Sequence, residues 1–236
     1  MSDPPPPARQ DGMVVDIEAA GAVLRTPRAA AVAGILFGVL LITSLVLVRV
    51  AIPADPSDAG VWLTDSGHRR AVILALNLVP FAGIAFLWFI GVVRSRVGDR
   101  EDRFFATVFL GSGLLFVAML FVAAAVGGGL LAASGTTAEL PGTTRGMHID
   151  TWRMGRETTA LVLNVYAMRM SAVFTISTAT IGLRLGVLHR GLAISGYAVA
   201  AILLLTVGIT PWVEVLFPAW VLVLSVTLLV APPPEA

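Results

Sequence analysis

Of 236 residues, 57% are hydrophobic and only 13% charged, with a net charge of +1. That is about half the ~25% charge of a soluble domain, and it lacks the concentrated basic face that a nucleic-acid partner requires. Cysteine is absent and all 16 basic residues are arginine, which excludes disulfides, thiolate chemistry and Cys-ligated metals, Walker-type phosphate loops and lysine Schiff-base cofactors.

Mean hydropathy is +0.88, and long charge-free stretches alternate with short arginine-bearing ones. This pattern predicts an all-α, polytopic membrane bundle of about six transmembrane helices in a single domain. Residues 1–28 form a polar tail that opens on a proline run, Pro4 to Pro7. The first apolar stretch begins only near Ala29 and is too long for a signal-peptide core, so it reads as a retained span.

Span one covers residues 29–48, which at 1.5 Å per residue is roughly 30 Å, the hydrocarbon thickness. Ala30, Gly34 and Gly38 make a small-residue ridge along it, suited to close helix packing. Span two, residues 71–93, contains Asn77 and Pro80, and Pro80 should kink it. Span three, residues 104–133, is overlong and is expected to break or fray at Gly127–Gly129. Its Gly111-Ser112-Gly113 run reads as close packing. Residues 134–157 form the longest loop. Span four is 158–183, span five 191–209 after a turn, and span six 215–231, the shortest, with Pro232–Pro234 as its stop.

By the positive-inside rule both termini lie in the cytoplasm, in a cytoplasmic membrane. Arg9, Arg25, Arg28, Arg94, Arg96, Arg100, Arg103, Arg184 and Arg190 then fall inside, and Arg49, Arg69, Arg70, Arg145, Arg153 and Arg156 outside, nine against six. The Lys-free, Arg/Ala/Gly/Val-rich composition suggests a GC-rich bacterial genome.

Span four carries the candidate chemistry. Glu157, Asn164, Met168, Ser171, Thr175, Thr178 and Gly182 share one face at 100° per residue. A polar stripe in lipid must face protein or water. It therefore either lines a hydrated cavity or bonds back to its own helix, as Ser and Thr hydroxyls do. Arg169 lies on a different face, with Tyr166, deep in the span and without an acidic residue in any span to neutralise it. It is expected either to lock the structure or to hold an anionic or lipid headgroup. The candidate ligand-binding residues are thus Arg169, Tyr166, Asn164, Ser171, Thr175 and Asn77; Gly34, Gly38, Gly182 and Gly186 are assigned to helix packing.

His68, His148 and His189 are all read as loop residues, so no haem site is expected. Met147, His148 and Met154 lack a metal-site spacing. No catalytic residue, metal or cofactor is expected.

The stretch from Asn164 to Ala200 resembles a segment of actinobacterial multi-pass membrane proteins belonging to a domain family without an assigned activity. Gly182, Arg184, Gly186, Arg190, Gly196 and Tyr197 carry the resemblance, and His189 departs from the proline expected in the turn. It implies a six-span bundle and no catalytic residues. Two functions stay open: a non-catalytic accessory, scaffold or sensor protein, and a transporter or binder of a small anionic or lipid-like molecule. The partners expected are the lipid bilayer and, beyond it, other membrane proteins or a second copy of the chain.

Overall fold

The computed structural model describes residues 27–52, 65–97, 103–136, 145–186, 188–206 and 212–230. The tail 1–26 and the expected Pro232–Pro234 stop lie outside them. The described residues form helices and turns with no strand. The helices are α1 (Pro27–Ala51), α2 (Ser66–Val97), α3 (Arg103–Thr136), α4 (Arg145–Ala160), a π-helical segment (Leu161–Ala167), α5 (Met168–Arg184), α6 (Arg190–Leu205), a 3-10 turn (Val213–Val215) and α7 (Leu216–Val230).

Five helical segments are long and apolar enough to cross a membrane; α6 is a shorter apolar helix. Large apolar side chains such as Trp88, Phe81, Val32 and Ile194 point outward. In water such a surface would aggregate; in lipid it is solvated. The molecule is a membrane-embedded, all-helical bundle in contact with the bilayer.

Several expectations change, the first being that among the described residues the fifth span, α6, is the short one rather than the sixth. Gly127–Gly129 do not break α3, which is continuous for 34 residues. A glycine costs about 1 kcal/mol in a helix, less than the several kcal/mol for each backbone group left unbonded in hydrocarbon. Residues Arg145 to Glu157 are helical rather than loop, because Gly155 lets α4 close on Leu130 of α3 and Trp152 packs with Ala51, Val72 and Leu131. The helix is then unbroken from Arg145 to Arg184, roughly 60 Å at 1.5 Å per residue, or twice the hydrocarbon thickness. Finally, His68 sits in the first turn of α2 and His148 in α4, so only His189 remains between helices. There its Nδ1 accepts a hydrogen bond from the Gly191 amide at 3.1 Å and caps α6.

α1 packs most closely on α2 and α7, α3 on α2 and α5, and α6 on α5 and α7, closing a ring. At its centre a fully buried phenylalanine from each of α1, α2, α3, α5 and α7 converges, Phe37, Phe86, Phe116, Phe174 and Phe217, and a second one on α2, Phe89, stacks on Phe86. Phe86 is the hub, with ring centroids 4.5 Å from Phe37, 5.3 Å from Phe116, 5.0 Å from Phe174 and 5.7 Å from Phe217. Its contacts to Phe116 and Phe217 are edge-on, an arrangement the ring quadrupole favours. Counting from Arg28, Arg94, Arg103 and Arg184 at one end of the bundle, these rings lie roughly 12–20 Å in, near the middle of the hydrocarbon.

Small residues set the helix approaches. A Cβ on Gly34 would strike Ser225, and one on Gly38 would meet Leu222 and the Pro218 carbonyl, so the predicted ridge packs on α7. Gly182 lies under Leu188, and Gly113 against Ile90 and Phe174. Gly186 does not pack helices: nothing lies near its Cβ position, and its φ of +68° makes it the left-handed turn residue that ends α5. Gly111 likewise has open space beside it. At the head of α2, the Gly67 and His68 amides bond the Asp65 carboxylate and hold its pKa below the ordinary value, an N-cap.

Phe86→Ala should lower stability by about 3 kcal/mol. That is the low end of the soluble-core range, because a lipid-solvated reference state removes most of the transfer contribution. Phe81→Ala, at a lipid-facing position, should change it by less than about 1 kcal/mol. Thermal melting of both variants in one detergent checks this.

Candidate ligand cavity

Beyond the phenylalanine cluster the bundle opens into a cavity of about 270 Å³. α4 and the π segment pack on α3, and the cavity separates them from α1. Leu41, Leu45 and Val48 of α1, Leu76 and Val79 of α2, and Leu120, Ala123 and Leu130 of α3 form its apolar walls. Leu41 and Leu120, one helical turn from Phe37 and Phe116, form its floor, and the aromatic cluster lies behind them. The polar lining comes from Ser44, Arg49, Arg156, Thr159, Asn164 and Glu214.

Arg49 and Glu214 form the principal electrostatic contact. An Arg49 guanidinium nitrogen lies 2.6 Å from Glu214 Oε1, joining positions 165 apart in the chain. Glu214 is buried at 7% exposure, so Arg49 supplies its counter-charge inside the fold. The position is set by the turn before α7: Trp212 takes a left-handed φ of 76° and the Val213–Val215 3-10 turn follows. The ion pair was not anticipated from sequence. The signal for it was present: Arg49 ends span one and Glu214 begins span six, and alternating spans bring those two ends to the same side.

Two hydroxyls in the cavity are already engaged. Ser44 donates to the Ala75 carbonyl at 2.9 Å, tying α1 to α2, and Thr159 donates to the Gly155 carbonyl at 2.8 Å. Asn164 is different. It lines the cavity from the π segment, and its Oδ1 is buried without a hydrogen-bond partner.

The predicted site residues do not converge. Of the six, only Asn164 lines the cavity. Ser171 and Thr175 are fully buried but donate to the carbonyls of Met168 and Ser171. Ser177, Thr178 and Thr180 also bond back one turn, so the stripe on α5 is satisfied within its own helix. Asn77 is exposed and donates to the Ile73 carbonyl. Arg169 and Tyr166 are exposed on the outside of the bundle.

Two physical reasons separate these residues. The π-helical segment breaks the uniform 100° step on which the shared face of Asn164 and Ser171 was counted. In addition, the helix extends well past Glu157, so Arg169 is not central. It lies roughly 22 Å from Arg184, near the far boundary of a ~30 Å core and within reach of it by snorkelling. At the opposite end of the bundle Arg184 stacks over the Phe105 ring at 4.5 Å. Tyr197 of α6 hydrogen-bonds Thr180 of α5 at 2.9 Å, and Gly196 of α6 packs on Trp220 of α7.

Comparison with family models, with curated proteins and with solved structures gives no match.

Removing one partner of a buried pair leaves the other uncompensated. Arg49→Met should therefore cost about 2–3 kcal/mol, while Arg49→Met combined with Glu214→Met should recover more than half of that loss. A double-mutant cycle of melting measurements reads the coupling.

Proposed function

We propose that this protein is a non-catalytic membrane protein that binds a small lipid-like molecule in the cavity, acting as a sensor or accessory protein. The observation that carries the reading is the cavity itself: apolar walls, a leucine floor in front of the aromatic cluster, and polar groups gathered at the other end. Ligand pockets combine mostly apolar surface with a few placed polar groups in this way. An amphipathic molecule entering with its apolar part toward the floor would leave its head beside Arg49, Arg156 and Asn164.

The chemistry around the cavity supports binding over turnover. Ser44 and Thr159 spend their hydroxyl protons on backbone carbonyls, and the described lining residues include no histidine that would serve as a base. Arginine asymmetry supports a cytoplasmic amino terminus and a cavity on the outer side of a cytoplasmic membrane.

Ala123 is buried in the cavity wall, and Ala123→Trp would fill much of the space. Wild-type protein purified in mild detergent should carry a co-purifying small molecule, visible in native mass spectra and identifiable after extraction. The Ala123→Trp variant should lose that molecule and keep a cooperative melt. A wild type with no retained molecule, whose added amphiphiles bind equally well to the filled variant, would overturn the reading.

A further inference from the structure

The cavity's own unmet bonding narrows the ligand, on the reading that the cavity binds an amphiphile. Arg49, the charged group best placed to attract an anion, is already held by Glu214 at 2.6 Å. To reach Arg49, a carboxylate or phosphate head would have to displace Glu214, which is buried and would then be left without its counter-charge. A polar atom of another kind also faces this space: Asn164 Oδ1, a buried acceptor without a hydrogen-bond partner. An anion brings only acceptors, and a quaternary ammonium brings neither donor nor acceptor, so neither answers it. The amide of Asn164 also carries a donor nitrogen beside that oxygen. Its natural complement is a neutral group that both donates and accepts, such as a hydroxyl.

Size sets the apolar part. A cavity of about 150 Å³ lined by aliphatic and aromatic side chains takes benzene. At about 270 Å³, this one holds roughly twice as much, on the order of eleven non-hydrogen atoms by that scale. That is one short chain or prenyl segment with its head, and far less than a two-chain phospholipid.

From these two constraints we infer that the cavity selects an uncharged, single-chain amphiphile with a hydroxyl head, bound through the side-chain amide of Asn164. The π-helical segment is what brings that amide to the cavity, in keeping with the frequent placement of such segments at functional sites.

The test uses the full chain in detergent and tritiated 1-decanol, competed by unlabelled decanoate at neutral pH, decyltrimethylammonium and decane. Decanol should bind saturably. Each competitor should be weaker than unlabelled decanol by about tenfold, the size of one buried hydrogen bond. Asn164→Leu should weaken decanol by a similar factor while leaving decane unchanged, so that the preference disappears. Decanoate competing better than decanol, or an unchanged preference in Asn164→Leu, would overturn the head-group assignment. If Ala123→Trp still abolished binding in that event, the cavity reading would stand. Decanol binding that survives Ala123→Trp, or no saturable binding of any probe, would sink both together.

Discussion

Five phenyl rings meeting near the membrane midplane are the contact on which this fold depends. Lipid gives no hydrophobic reward for bringing two helices together, so association must come from packing and polar contacts. A ring from each of α1, α2, α3, α5 and α7, converging on Phe86, supplies contact area that aliphatic residues on separate helices would spread over several layers. Glycines at the surrounding crossings let the backbones come close enough for the rings to touch: Gly34 and Gly38 toward α7, and Gly113 against Phe174. The cluster also divides the bundle. On one side the helices close tightly; on the other they splay around a cavity that stops at Leu41 and Leu120, one turn short of the rings.

The Arg49–Glu214 pair belongs to the splayed side. There α1 is ending and α7 has not yet begun, and the ion pair joins the two where apolar packing thins out. It fixes the polar end of the cavity, and Arg49 and Glu214 neutralise each other there. The remaining chemical character of the cavity then rests with Arg156 and the amide of Asn164.

Sequence periodicity and length were enough to read the membrane class and most of the helices, because hydrocarbon thickness imposes a simple rule on apolar runs. Where the reading failed, tertiary contacts had overruled a local signal. Gly127–Gly129 looked like a break but lie within an intact helix, since lipid penalises an open backbone more than it penalises glycine. The segment from Arg145 to Glu157 is too polar to register as a span, yet it folds as a helix through Gly155 and Trp152 packing on neighbours distant in sequence. Arg169 drew attention because a charge in an apolar run is conspicuous; its exposed position could not be known without the true extent of the helix. Phenylalanine is an ordinary residue in a membrane span, so nothing marked the central five in advance. Asn164 was among the candidates, but for a stripe it does not share with the residues lining the cavity.

The π-helical stretch at Leu161–Ala167 carries an evolutionary corollary. Wide turns of this kind accommodate an additional residue within an otherwise regular α-helix, so deleting one amino acid there would leave an uninterrupted rod still able to cross the bilayer. Everything upstream would nevertheless rotate by about 100° relative to α5, carrying Asn164 and Arg156 away from their present bearing. Descendants of a common ancestor differing by that single codon would keep the same bundle and lose the pocket's recognition chemistry in one step.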